Sequence, residues 1–134
     1  MDNYLSANEI SLAVRLGNST AKSEIQKVIT RINAKEKYLR AWCHFNAEIP
    51  LRNAGIVDDK SDKGRVAGVG IGVKDIIDTE HFLTENGVAT DAGRQPKQNA
   101  TVVDRLMAED AIVLGKTKTT ECAFHTPTDT RNPH

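Results

Sequence analysis

The stretch "GVGIGVKDIID", residues 68–78, places a lysine at the end of an apolar run that glycines interrupt. Side chains of a β-strand alternate between two faces. Three apolar side chains are therefore predicted to share one face: Val69, Ile71 and Val73. The other face carries Gly70, Gly72 and then Lys74. Because glycine in a strand marks a place where another backbone or a ligand comes close, the pattern predicts that Lys74 projects into a groove from a face cleared for another backbone.

These residues leave two interpretations of Lys74 open. A lysine at a strand end is usually a surface residue that either snorkels or forms an ion pair, here with Asp75 or Asp78 as the candidate partners. Catalysis would instead require a desolvated lysine whose pKa is lowered, so that it accepts a proton near neutral pH.

The composition fits one domain with a modest core. The chain has 134 residues, of which 39% are hydrophobic, and a mean hydropathy of -0.44. Eighteen basic residues balance eighteen acidic ones, so no electrostatic footprint for direct nucleic-acid binding or for a membrane surface is expected. No stretch approaches the ~20 apolar residues of a membrane span, and the N-terminus lacks a signal-peptide pattern. We therefore expect a cytoplasmic protein.

Few residues are suited to bind a metal ion. The two cysteines, Cys43 and Cys122, have no metal-like spacing to any of the four histidines: His44, His81, His125 and His134. The charged run 58–65 does not match a calcium-loop register. The sequence therefore predicts unpaired thiols and neither a metal nor a cofactor.

Local patterns outline the elements of the N-terminal half. Ser6 and Glu9 form a capping-box pattern before a short helix that ends near Gly17. A second helix is predicted from Ser19 or Thr20. It carries an apolar stripe: Ile25, Val28, Ile29 and Ile32. Residues 41–45 suggest a strand, and "PLRNAG", residues 50–55, a loop or brief helix ending near residue 55.

In the C-terminal half, a turn-rich segment (84–99) precedes a predicted helix with Asn99 as its cap. A strand, "AIVLG" (111–115), and the opening of another helix, "KTKTTECAF" (116–124), follow. Strand, helix and strand joined by a crossover predict a mixed α/β layer with at least one parallel pair.

The motif "LGKT", residues 114–117, lies where a phosphate-binding loop could sit, between a strand and a predicted helix. Such a loop needs a glycine five residues before Gly115, and position 110 is aspartate. We therefore interpret Lys116 as a strand-end lysine that helps to close a turn.

Three blocks of the sequence, in order, resemble the N-terminal third of the amidase-signature enzymes, serine hydrolases of carboxamides that include the glutamyl-tRNA amidotransferase A subunits. The blocks are "VAGVGIGVKDIIDTEHFLTENGV" (66–88), "NATVVDRLMAEDAIVLGKTKTTECAF" (99–124) and "TPTDTRNPH" (126–134). The resemblance implies an incomplete amidase-signature α/β fold. In it, a mainly helical lead-in (1–57) precedes the start of the core (66–134), where part of a mixed β-sheet is covered by helices. Asp110 stands where the family usually has glycine; a positive φ there would cost about 1 kcal/mol.

By the same resemblance, Lys74 aligns with the family's catalytic lysine, which acts through a cis-peptide serine to activate a nucleophilic serine. In the family both serines follow the "TRNP" block, and every serine of this sequence precedes Lys74. We therefore expect the N-terminal part of an amidase that is inactive as 134 residues, with a small-molecule amide as the substrate of the complete protein. The alternatives are a glutaminase-type A subunit of a tRNA-dependent amidotransferase and a truncated, non-catalytic remnant. Expected partners are copies of the chain in a homo-oligomer, or amidotransferase subunits.

Overall fold

The computed structural model describes residues 4–129, which form four α-helices and a three-stranded sheet. The helices are α1 (Ala7–Arg15), α2 (Ala21–Leu39), α3 (Glu48–Asp58) and α4 (Thr101–Ala108). The strands are β1 (Trp42–Phe45), β2 (Gly70–Lys74) and β3 (Ile112–Thr117). Two 3-10 turns occupy Ala89–Asp91 and Glu121–Ala123.

The sheet is mixed, with the order β1-β3-β2. Strand β2 runs parallel to the central strand β3, and β1 runs antiparallel to it. The helix α4 lies between β2 and β3 in sequence, and the connection that contains it is long enough for the crossover that a parallel pair requires. The predicted α/β class and parallel pair are confirmed.

The first two helices begin where their caps predict. In α1 the amide of Glu9 donates to Ser6 Oγ (3.3 Å), while the Ser6 amide donates to Glu9 Oε2 (2.7 Å). In α2 the Ser23 amide donates to Thr20 Oγ1 at 3.0 Å. Each cap satisfies an amide that the first turn of a helix leaves without an intrahelical partner.

The core lies on both faces of the sheet, because successive residues of β3 point to opposite sides. On one face Ile112 and Leu114 pack with α1, α2 and α3 and with the whole predicted stripe of α2. On the other face Val113 packs with Val103 of α4, with Phe82 and with the apolar side chains of β2. The predicted facing of Ile71 and Val73 is confirmed.

Three predicted elements differ in the structure. Helix α3 includes Pro50 in its first turn, where proline is tolerated, and it continues to Asp58 rather than ending near residue 55. Ala100, not Asn99, is the N-cap of α4. Asn99 Oδ1 instead accepts from the Glu80 amide at 2.8 Å.

Residues 116–124 do not open a helix. Lys116 and Thr117 belong to β3, where they pair with both neighbouring strands, and only a 3-10 turn follows. The pairing partners lie more than 40 residues away, beyond the reach of a local pattern. The block "TRNPH", residues 130–134, lies outside the described residues.

The glycines of β2 do not receive another backbone among the described residues. A Cβ at Gly70 would meet the Leu114 side chain (2.9 Å). One at Gly72 would meet Thr117 and Trp42 side chains at 3.0–3.1 Å. The close backbone approach is at Gly115, where a Cβ would collide with the carbonyl oxygen of His44.

Asp110 adopts a φ of 66°, as anticipated for a position that usually holds glycine. Its buried carboxylate accepts from Lys60 Nζ (2.5 Å) and from the Gly64 amide (2.7 Å). These bonds offset the conformational cost of the left-handed backbone. Within residues 4–129, no helix is both long and apolar enough to cross a membrane.

Candidate functional site

Lys74 is the last residue of β2, and its side chain is exposed. Among the described residues its ammonium makes no hydrogen bond and no ion pair. The ion pair with Asp75 or Asp78 that the surface interpretation allowed is not formed, since both carboxylates bind other cations. Arg94 binds Asp78 through two bonds of 2.7 and 2.9 Å and thereby holds the pKa of that carboxyl below its usual range.

Asp75, the residue after Lys74, is 3% exposed and anchored through its backbone. Its amide donates to the carbonyl of Thr117 (3.0 Å), and its carbonyl accepts from the Asn86 amide (2.9 Å). These bonds tie the end of β2 both to β3 and to the turn-rich segment. The backbone that carries Lys74 is therefore held on two sides.

The carboxylate of Asp75 completes the anchor by pairing with Lys116, which is fully buried. Lys116 Nζ lies 3.3 Å from Asp75 Oδ1 and donates to Thr84 Oγ1 (2.5 Å) and to the Leu83 carbonyl (3.3 Å). Burial lowers the pKa of Lys116, and the neighbouring Asp75 opposes that shift. A buried ammonium needs this pairing, since an unpaired charge in the interior is costly.

Lys116 does lie next to the last residue of β3, but its ammonium is buried and bonds to the distant residues Leu83 and Thr84. Its ammonium lies inside the fold, where a phosphate could not reach it, which also excludes the phosphate-loop alternative. The sequence carries no local signal of this burial, since Lys116 follows the apolar run 111–115 and begins the polar segment 116–120.

An open cleft of about 430 Å³ lies beside this anchor. Cys43, Asp75, Glu85, Lys118 and Thr119 are among its lining residues, whereas Lys74 does not line it. Alternation along the strand sends consecutive side chains to opposite faces, so Lys74 and Asp75 diverge.

Two side chains at the cleft are held by further bonds. Glu85 Oε1 accepts from the Gly93 amide (2.6 Å), and Glu85 Oε2 lies 2.9 Å from His44 Nε2. The Gly93 bond and, after it, the His44 bond lower the pKa of Glu85. Burial, together with the nearby Asp75 carboxylate, raises the pKa of the Cys43 thiol to about 11.

Sequence comparison relates most of the chain to one family. The model of the Amidase family matches residues 24–133. The A subunit of the glutamyl-tRNA(Gln) amidotransferase of Chloroflexus aggregans is 33% identical over 130 residues, which are 94% of this chain and 27% of that protein. Its counterpart in Streptomyces coelicolor is 35% identical over 129 residues, or 93% of this chain and 26% of that protein.

Solved structures agree with this relationship. The peptide amidase of Stenotrophomonas maltophilia superposes with a TM-score of 0.83 at 26% identity, covering 96% of this chain and 27% of that one. A bacterial aryl acylamidase of the amidase-signature family superposes with a TM-score of 0.86 at 22% identity, covering 97% of this chain and 29% of that one. At 22% identity this similarity concerns the fold alone.

The chain belongs to the Amidase family, and its mixed α/β structure is part of the amidase-signature fold. The resemblance given by the three sequence blocks is thus confirmed. The 134 residues span about a quarter of the length of the curated relatives that they match.

Proposed function

We propose that this chain carries the lysine of a serine-dependent hydrolase of carboxamide C–N bonds, and that Lys74 is that lysine. The observation that carries the proposal is its placement. Lys74 is the last residue of β2, and its exposed ammonium has no partner among the described residues. The next residue, Asp75, is anchored by β3, by the turn-rich segment and by Lys116. The backbone is thereby held while the side chain stays available for proton transfer.

In the proposed reaction the serine-bearing segment of the complete protein covers Lys74, and the loss of hydration favours the neutral amine. Lys74 then accepts a proton, relayed by a bridging serine, from a nucleophilic serine. The serine oxygen bonds to the amide carbonyl carbon, the C–N bond breaks, and the amine leaves with the proton. Water then hydrolyses the acyl-enzyme. All five serines of the 134 residues precede Lys74, and we propose that these residues alone hydrolyse no amide.

A second candidate is the glutaminase-type A subunit of a tRNA-dependent amidotransferase. It is favoured by the curated relatives of 33–35% identity, which carry that name. In this case the partners would be the other subunits of the amidotransferase, and the amide substrate would be glutamine. A non-catalytic remnant is the third candidate. The cytoplasmic location and the division at residues 57 and 66 stay predictions.

The test is to read the gene past codon 134 and to assay the complete reading frame on simple carboxamides and on glutamine. We expect Lys74→Ala to lower kcat by roughly 10²–10⁴-fold, the usual contribution of a positioned proton-transfer group. Lys97→Ala, at another exposed lysine, is the matched control and should leave kcat unchanged. Full activity in Lys74→Ala would contradict the assignment.

The same experiment separates the three candidate functions. Glutamine hydrolysis that requires co-expressed subunits would favour the amidotransferase subunit. A stop codon after His134 would favour the non-catalytic remnant.

A further inference from the structure

An irregularity in β1 brings together side chains that a regular strand would separate. Trp42 pairs with Thr117 and His44 with Lys116, so that two steps along β1 match one step along β3. Cys43 is the extra residue of this bulge, and bulges re-aim side chains and recur beside functional sites. As a result, Cys43 Sγ, a ring nitrogen of His44 and a carboxylate oxygen of Asp75 all lie within 4.8 Å of one another.

We propose that Cys43, His44 and Asp75 form a binding site for a divalent transition-metal ion of the Zn²⁺ type, with its remaining coordination position open to the cleft. The site does not include Lys74 and does not rest on the proposed hydrolase function.

The donor set selects this class of ion. Thiolate, imidazole and carboxylate together suit Zn²⁺ and its relatives, whereas Mg²⁺ and Ca²⁺ prefer oxygen ligands alone. Atoms bound to one tetrahedral Zn²⁺ at 2.0–2.3 Å lie roughly 3.3–3.8 Å apart. Small side-chain rotations, closing each separation by at most ~1.5 Å, would therefore bring the three donors to the ion.

One ring nitrogen of His44 is already held by a carboxylate. Its Nε2 lies 2.9 Å from Glu85 Oε2, and Glu85 is itself held by the Gly93 amide at 2.6 Å. With Nε2 held by Glu85, the lone pair available to a cation is the one on Nδ1. A carboxylate on the outer nitrogen of a histidine is the usual arrangement around bound metals, where it fixes the ring and its tautomer.

The ion can reach the site from the cleft, and the proton that it displaces comes from the Cys43 thiol. Cys43 and Asp75 line the open cleft, so that a hydrated ion can enter without opening the fold. The Cys43 thiol donates to the Lys116 carbonyl at 3.3 Å. On binding, the S–H bond breaks, the sulfur bonds to the metal, and one proton is released to solvent for each ion bound.

One group opposes binding. The Lys116 ammonium lies 3.3 Å from Asp75 Oδ1, where its positive charge repels a second cation. The other carboxylate oxygen, Asp75 Oδ2, stays available to the ion, because its described contact is a long hydrogen bond of 3.2 Å from the Glu85 amide. The site is therefore expected to bind less tightly than a structural zinc site.

Titration of the 134-residue chain with Co²⁺, a coloured substitute for Zn²⁺, tests the proposal. We expect one equivalent to produce a thiolate-to-cobalt charge-transfer band in the near ultraviolet, and one equivalent of Zn²⁺ to abolish it. Cys43→Ser should remove the band, whereas Cys122→Ser, at the other cysteine, should keep it. His44→Gln should weaken Co²⁺ binding at least tenfold, while His81→Gln should not change it.

Circular dichroism of each variant establishes that the fold is retained. If Cys43→Ser does not fold, the comparison of His44→Gln with His81→Gln decides the matter. The proposal is overturned if the wild-type chain shows no band, if the band survives Cys43→Ser, or if the two histidine variants bind Co²⁺ equally.

Discussion

At the scale of single residues, the pair of Lys116 and Asp75 dominates the structure around Lys74. Lys116→Met keeps much of the side-chain volume and leaves the Asp75 carboxylate buried without its ammonium. Removing one member of a buried ion pair costs about 3–5 kcal/mol, and we expect that loss in the free energy of unfolding, measured with urea.

The double variant Lys116→Met with Asp75→Asn is the control, since it removes both charges. We expect it to be more stable than Lys116→Met alone, because no isolated charge remains buried. If Lys116→Met cost less than about 1 kcal/mol, the pair would be behaving like a surface ion pair, and its role as an anchor would be refuted.

The Cys43 thiol, whose pKa is raised to about 11, should react slowly with alkylating reagents. Only the thiolate is nucleophilic, and at pH 8 roughly one Cys43 in a thousand is ionised. In chelator-treated buffer we expect its alkylation rate, followed by mass spectrometry, to rise about tenfold per pH unit from pH 8 to pH 10. Exposed Cys122 is the internal control.

The same raised pKa links Cys43 to stability. A thiol with a folded pKa of about 11 and an ordinary value of 9.0 contributes stability that is present below pH 9 and is lost as the pH rises through 11. After unfolding in urea, both cysteines should be alkylated at similar rates. A Cys43 that reacts as fast as Cys122 in the folded chain would contradict its burial.

At the scale of elements, the end of α3 caps the start of α2. Asp58 accepts from the Ala21 amide (2.6 Å) and from the Lys22 amide (3.0 Å) through its two carboxylate oxygens. Asp58→Ala should lower the free energy of unfolding by about 1–2 kcal/mol, the upper range for loss of a helix cap. Asp58→Asn keeps one acceptor and should cost less; equal losses in both variants would argue against capping.

Glu24, in the first turn of α2, should make stability depend on pH. Its burial alone would raise its pKa, but hydrogen bonds from Lys27 and Ser19 outweigh burial and lower the pKa below the ordinary 4.5. A lowered folded pKa contributes stability above pH 4.5 that is lost as the pH falls. Glu24→Gln should flatten that decline in acid unfolding curves, and an unchanged decline would exclude Glu24 as its source.

At the scale of the whole molecule, α1 and its C-cap leave large apolar side chains in solvent. Leu12 is 51% and Leu16 64% exposed, and they lie one turn apart on the same face. We expect the chain to associate as its concentration rises, and Leu12→Lys with Leu16→Lys to reduce that association in sedimentation velocity. Gln26→Lys with Thr30→Lys adds the same charge at exposed polar positions of α2. Equal reductions from both pairs would assign the effect to charge instead of the apolar face.

Features that depend on residues close together in the chain follow from the amino-acid sequence alone. The caps at Ser6 and Thr20, the stripe of α2 and the alternation in β2 arise from hydrogen bonds and periodicities within a few residues. Even the positive φ of Asp110 could be anticipated from its place in a family block. The family followed as well, because its blocks keep their order and spacing. The role of Lys74 stays a prediction.

Features that depend on contacts between distant segments were set by the tertiary structure and could not be predicted. Lys116 is buried because β3 became the central strand, with Asp75 and Thr84 brought to its ammonium from more than 30 residues away. Gly115, not Gly72, receives the close backbone. The bulge that sets Cys43 beside His44 arises from pairing with β3. Such contacts depend on which strands pair and in which register. Packing of the whole core determines the pairing and the register, so no local sequence pattern predicts these contacts.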